Sequence, residues 1–217
     1  MIPHTDLEVD PSFPGHLAMG MPAEDEVDEE GYGFFRGVWD ISGASLRDAW
    51  AVIEEERRLA DLVDQATATR QDFEAVAGAV EDGSPDDLPE GFAAEHPQSE
   101  ILEIVGDGER EMAVLNGLEI GVAGLAYALS AIGCFPAASC RSHDSESSWS
   151  VRPVVFFAAE RTTVHWLTPL VRESGCGFGD GSGNGQLLIT IEASSITNLM
   201  DLARRIVTQA ERQQLNR

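Results

Sequence analysis

Three chemically active side chains follow one another closely near the middle of the sequence. Cys140, Arg141 and His143 come directly after the apolar run Phe135 to Ser139. That run predicts a strand, so the three side chains fall at its end and in the following loop, where a rigid scaffold can present them to a ligand. This strand end is therefore the first candidate for a functional site.

Two kinds of chemistry and one structural interpretation compete for this segment. Cys140 and His143 have the short spacing of paired zinc ligands, and Cys134 and Cys176 would complete a tetrahedral set if the fold brought them together. Alternatively, Cys140 is a nucleophile activated by the neighbouring Arg141 and His143. In the structural interpretation, the cysteines are small buried apolar residues. We take Cys140 and His143 as candidate catalytic residues and assign neither a metal ligand nor a cofactor.

Candidate ligand-binding residues surround this pair. They are Ser139, Arg141, Trp149 and Arg152. Arg141 and Arg152 flank the loop, and two guanidinium groups in such positions could hold an anionic ligand through paired hydrogen bonds. We therefore expect the segment to line a concave site for a small molecule or nucleotide.

The same segment resembles two groups of proteins. Ser139-Cys140, placed after a glycine-containing helix and before an apolar strand, looks like the Ser-Ser-Cys-Ser-Gly-Arg region of the wybutosine-pathway tRNA methyltransferases. It also resembles uncharacterised bacterial proteins with a Ser-Cys-x-Gly-His segment, in which His143 also matches. The resemblance covers residues 112–210 and implies a site at this loop. Ser142 stands where both motifs have glycine, and no basic surface for tRNA accompanies the match.

Charge is divided unevenly along the chain. The formal net charge is −24, every one of the 14 basic residues is arginine, and residues 1–111 hold 29 of the 38 acidic residues but only 6 of the basic ones. Non-specific DNA binding needs clustered cations, so it is not expected. The acidic half instead predicts binding to a basic protein partner.

The element pattern predicts four units. Residues 1–43 read as an acidic flexible tail, 44–81 as an acidic helical hairpin capped by Ser45 and Thr69, 82–98 as a linker, and 99–217 as an α+β domain. The runs Glu54-Glu55-Glu56 and Asp86-Asp87 read as solvated surface.

The second half alternates apolar helices and strands. We predict a helix over residues 110–132, strands near 135–139, 151–159 and 187–191, and helices near 162–174 and 195–209. The glycine-rich run at 177–185 reads as a flexible turn between strands. The expected fold class is α+β, with a small sheet of three or four strands covered by helices and an acidic helical N-terminal half. We expect residues from about 110 onward to fold independently.

These features favour a regulatory or binding protein that holds a ligand or partner at the loop from Cys140 to Trp149. The alternative is a small enzyme that uses Cys140 and His143 as a thiol nucleophile or a metal site. The acidic start and the lack of a run of about 18 apolar residues predict a cytoplasmic protein that does not insert into membranes.

Overall fold

Helices cover one face of a four-stranded antiparallel sheet, so the predicted α+β class is confirmed. The computed structural model describes residues 1–28, 31–32, 35–36, 41, 43–106, 114–143, 150–183 and 185–215. In those ranges the helices are α1 (Leu46–Ala66), α2 (Arg70–Asp82), α3 (Phe92–Glu95), α4 (Glu100–Gly106), α5 (Ala123–Ala131), α6 (Arg161–Glu173) and α7 (Ile196–Leu215). The strands are β1 (Val27–Asp28), β2 (Gly31–Tyr32), β3 (Phe35–Arg36), β4 (Phe135–Cys140), β5 (Val154–Ala158), β6 (Gly177–Asp180) and β7 (Ile189–Glu192).

The main sheet has the strand order β4-β5-β7-β6. Its helix-facing side chains include Val155, Phe157, Ile189 and Ile191, which join one apolar core with residues of α1, α2, α5, α6 and α7. Short strands β1 to β3 form a separate sheet, whose Tyr32 packs with Ala158 and Leu188. The sheet is thus covered by apolar contacts from both sides.

The two acidic helices begin where the sequence predicts. Ser45 caps α1 and Thr69 caps α2, each with an aspartate three residues later that completes a capping box. Both helices contribute fully buried residues, including Leu59, Val63 and Phe73, to the core that also holds the sheet. That shared core argues against independent folding of the second half, while the four predicted domain ranges stay a prediction.

The predicted helix over 110–132 is wrong in its first half. The helix α5 begins only at Ala123, and residues 107–113 lie outside the described ranges. Leu115, Asn116 and Gly117 have φ values of 55°, 57° and 80°, and left-handed residues cannot continue a right-handed helix. The result is a short 3₁₀ turn at Val114–Gly117, and a second turn at residues 120–122 leads into α5.

Part of the glycine-rich run is a strand. Gly177–Asp180 forms β6 at one edge of the sheet, and the described part of residues 181–186 turns the chain into β7. A Cβ at Gly177 would lie 2.7 Å from the backbone nitrogen of Asp10, whose carbonyl accepts a hydrogen bond from the Phe178 N–H. The missing side chain therefore admits the N-terminal segment beside this edge.

A buried carboxylate on α1 caps the start of α5. Glu56 is fully buried, contrary to the predicted solvated face, and its Oε1 accepts hydrogen bonds from the N–H groups of Gly121 at 2.9 Å and Gly124 at 3.1 Å. The first N–H groups of a helix lack partners within the helix, so this carboxylate supplies them from outside. Burial raises the pKa of Glu56 to about 7, and the bonds from the backbone N–H groups only partly oppose that rise.

A second carboxylate extends this arrangement toward β4. Oε1 of Glu81 on α2 accepts a hydrogen bond from the Ile120 N–H at 2.6 Å and also binds the guanidinium of Arg141. Burial raises the pKa of Glu81, and the charge of Arg141 acts in the opposite direction. One carboxylate thereby ties together the segment before α5 and the residue that follows β4.

Gly124 is predicted to be intolerant of a side chain. A Cβ there would lie 2.5 Å from Oε2 of Glu56 and 3.0 Å from Cγ1 of Ile53, so Gly124→Ala should lower the free energy of unfolding by about 1–3 kcal/mol. Gly78 is the matched control, because it lies within α2 and a Cβ there meets nothing within 4 Å. Gly78→Ala should stabilise the protein by about 0.5–1 kcal/mol. Equal effects in urea unfolding would contradict this packing argument.

Stability should fall as pH rises from about 4.5 to about 7. Folding raises the pKa of Glu56 from 4.5 to about 7, so the folded state holds this proton more tightly than the unfolded chain. Glu56 therefore contributes about 3 kcal/mol to the free energy of unfolding below about pH 4.5, and this contribution is lost above about pH 7.

Glu56→Gln isolates this contribution. The amide keeps an oxygen for the two backbone donors but does not titrate, so the slope of unfolding free energy against pH should flatten between pH 5 and 7. Glu54→Gln is the control because Glu54 lies exposed on the same helix. An unchanged slope in Glu56→Gln, measured by urea unfolding across this pH range, would contradict the assignment.

Candidate functional site

The end of β4 places a thiol, an imidazole and a carboxylate together. Ligand atoms of Glu119, Cys140 and His143 all lie within 4.8 Å of one another, and we call these three residues the Cys-His-Glu cluster. Nε2 of His143 lies 2.7 Å from Oε1 of Glu119. Within the described ranges, this is the one group of three or more histidine, cysteine or acidic side chains that converges in this way.

The turn after β4 brings His143 back toward Cys140. Ser142 has a φ of 74°, which reverses the chain direction, and its N–H donates a hydrogen bond to Sγ of Cys140 at 3.3 Å. Left-handed backbone favours glycine, so the side chain of Ser142 is strained in this conformation.

Glu119 is held from two sides. Its Oε2 accepts the N–H of Arg141 at 2.6 Å, while its Oε1 faces His143. Although burial acts to raise it, the bonds from His143 and Arg141 lower the pKa of Glu119. The Glu119 carboxylate is thus ionised, and its contacts with Arg141 and His143 fix its orientation.

His143 is the most strongly perturbed group of the cluster. Contacts with Cys140 and then with Glu119 raise the pKa of His143 to about 10, against the opposing effect of burial. Cys140 is 1% exposed, whereas the side chains of His143 and Glu119 are 30% and 29% exposed. The sulfur therefore lies at the inner end of the cluster and the other two groups at its outer edge.

The other two cysteines lie apart from this cluster. Cys134 and Cys176 are free and buried, and both belong to the main apolar core. Burial raises the pKa of each thiol to about 12. The structure assigns Glu119 to the cluster, and neither of these cysteines is part of it.

The predicted ligand-binding residues are not brought together as an anion clamp. The Arg141 guanidinium is 4% exposed and binds Glu81, whereas Nη1 of Arg152 lies 3.0 Å from Oε2 of Glu192. Although burial acts to lower it, the charges of Glu81 and Glu119 raise the pKa of Arg141. Each guanidinium is therefore already neutralised by a different carboxylate.

Ser139 and Trp149 complete the set of predicted site residues. Ser139 pairs with Val155, and because neighbouring side chains of a strand alternate, it points to the face opposite Cys140. Trp149 lies outside the described residues. The structure thus groups Cys140 and His143, separates Ser139 from them, and adds Glu119.

A small cavity lies next to the residues that follow β4, and a larger groove lies between α1 and α7. Arg141 and Ser142 line a cavity of about 10 Å³ with Arg70 and Glu74, which has room for about one water molecule. In the described part of the chain, Nε of Arg141 is buried without a hydrogen-bond partner. A groove of about 390 Å³ between α1 and α7 shares no lining residue with the cluster.

Ser142→Gly should relieve strain in the turn after β4. A non-glycine residue at φ 74° is strained, so the substitution should stabilise the protein by up to about 1 kcal/mol even though it removes the hydroxyl that Arg70 contacts at 3.3 Å. Ser139→Gly is the control, since glycine within a strand weakens it. Equal losses of stability in both variants, measured by urea unfolding, would contradict the proposed strain.

No helix of the described residues has the length and apolar character needed to cross a membrane. No family model, curated protein or solved structure matches the chain.

Proposed function

We propose that the chain is a thiol-dependent enzyme in which Sγ of Cys140 is the reacting atom. The observation that carries the proposal is the convergence of Cys140, His143 and Glu119 at the end of β4. A nucleophile beside a base that a third group orients is the arrangement that activates thiols in enzymes. Glu119 takes the orienting role because its carboxylate lies 2.7 Å from Nε2 of His143.

The reaction follows from the positions of these atoms. Sγ of Cys140 attacks an electrophilic carbon of the substrate and forms a carbon–sulfur bond, while the bond between that carbon and its leaving group breaks. The proton held by His143 passes to the leaving group. In a hydrolysis, water then attacks the same carbon, His143 accepts the proton of that water, and the sulfur departs as thiolate.

The charges around the cluster favour a neutral or cationic substrate. Glu119 lies within the cluster, Glu81 holds the guanidinium of Arg141, and Arg152 is paired with Glu192. A phosphate or carboxylate group would have to compete with these carboxylates for the two arginines. A small-molecule electrophile without an anionic group therefore fits the site better than a nucleotide.

The alternative role as a module that binds a basic protein partner stays a prediction. It depends on the excess of acidic residues in the first half of the chain. Glu56 and Glu81 belong to that excess, but they bind the chain's own backbone N–H groups. They are consequently not free to meet a partner, whereas the thiol cluster has a defined geometry.

Alkylation by iodoacetamide tests the proposal directly. In the folded 217-residue chain, mass spectrometry should show Cys140 reacting on the order of tenfold faster than Cys134 and Cys176. All three cysteines are buried, but His143 lies beside the sulfur of Cys140, whereas burial raises the pKa of the other two thiols to about 12. His143→Gln should slow the reaction of Cys140 on the order of tenfold, because it removes the cationic imidazole beside the sulfur. Glu119→Gln should slow it less.

His165→Gln serves as the matched control, since His165 lies on α6 and stacks edge-on with Phe13. It should leave the alkylation of Cys140 unchanged. Circular dichroism establishes that each variant is folded. Alkylation of Cys140 in the wild-type protein at no more than the rate of the two core cysteines would overturn the proposal without reference to any variant.

A further inference from the structure

We infer that Glu119, Cys140 and His143 also bind one divalent metal ion of the zinc class. These are the same side chains that carry the proposed function. One consequence rests on that function: a bound ion blocks the thiol of Cys140. The sequence suggested Cys140 and His143 as a ligand pair that Cys134 and Cys176 would complete, but those two cysteines lie in the apolar core. Glu119 supplies the third ligand from a segment more than twenty residues away.

The ligand atoms of the Cys-His-Glu cluster lie close to the separations found around zinc. Around tetrahedral zinc, sulfur, nitrogen and oxygen ligands lie about 3.4–3.6 Å from one another. The ligand atoms of the Cys-His-Glu cluster lie within 4.8 Å of one another, and Nε2 of His143 is 2.7 Å from Oε1 of Glu119. Side-chain movements of roughly 1.5 Å or less therefore convert the cluster into a coordination site.

The types of ligand atom in the cluster suit zinc. Magnesium and calcium prefer oxygen ligands, whereas zinc accepts thiolate, imidazole and carboxylate together. One ligand of each type is present in the cluster. Three protein ligands leave the fourth tetrahedral position for water or another molecule.

Backbone hydrogen bonds hold two of the three ligands in place. The Ser142 N–H donates to the sulfur of Cys140, and the Arg141 N–H donates to Oε2 of Glu119. Hydrogen bonds of this kind orient ligands and contribute to metal affinity. Burial protects the sulfur, while the partly exposed His143 and Glu119 leave a side from which an ion can enter.

Cobalt(II) replaces zinc in such sites and gives a spectroscopic test. Titration of the metal-free full-length protein should produce thiolate-to-cobalt charge-transfer absorption at a stoichiometry of one ion per chain, and zinc should abolish it by displacement. Cys140→Ser should eliminate this absorption. Glu119→Gln and His143→Gln should each lower cobalt affinity at least about tenfold.

Two variants control for loss of structure rather than loss of a ligand. Cys134→Ala removes a buried thiol outside the cluster, and Glu54→Gln removes an exposed carboxylate on α1. Both should retain the cobalt spectrum. Absence of charge-transfer absorption in the wild-type protein, or a spectrum that persists in Cys140→Ser, would overturn the inference.

Alkylation with and without zinc separates the two proposals. If both hold, Cys140 reacts rapidly in metal-free protein and zinc slows that reaction at least about tenfold. Rapid alkylation without any metal binding overturns the inference and leaves the proposed function standing. Cobalt binding through a Cys140 that alkylates no faster than the core cysteines overturns the proposed function and leaves the metal site standing.

Discussion

Hydrogen bonds from backbone N–H groups to the buried Glu56 and the mostly buried Glu81 govern the placement of the candidate site. Glu56 holds the start of α5, and Glu81 holds the residue directly after Glu119 together with the guanidinium of Arg141. An unpaired buried carboxylate is costly, so these groups are stable only while the segment before α5 stays in place. The acidic helices α1 and α2 and the end of β4 are therefore joined by one connected set of hydrogen bonds.

The sequence predicts those elements whose signals are local. Ser45 and Thr69 stand three residues before an aspartate, and this spacing correctly located the starts of α1 and α2. The strands β4 and β5 and the helices α6 and α7 also follow from runs of apolar residues. The α+β class could be predicted because it depends on the order of these elements and not on their contacts.

Features that depend on distant contacts could not be predicted in this way. Glu119 lies in an apolar stretch that reads as helix, and only the turn at Leu115 and Asn116 frees it to approach His143. Glu56 follows two other glutamates and looks like exposed surface, although its role is set by glycine N–H groups 65 or more residues away.

The two outer strands of the sheet carry features that discourage aggregation. At one edge, β6 is accompanied by Asp10, whose carbonyl accepts the Phe178 N–H. At the other edge, β4 contains Pro136, which has no N–H to donate, and an irregular register between Pro136 and Ala138. Prolines and bulges at sheet edges oppose the addition of strands from other chains. The strand that carries the buried Cys140 at its end is thus poorly suited to intermolecular strand pairing, so it can form an edge of the sheet without seeding fibrils.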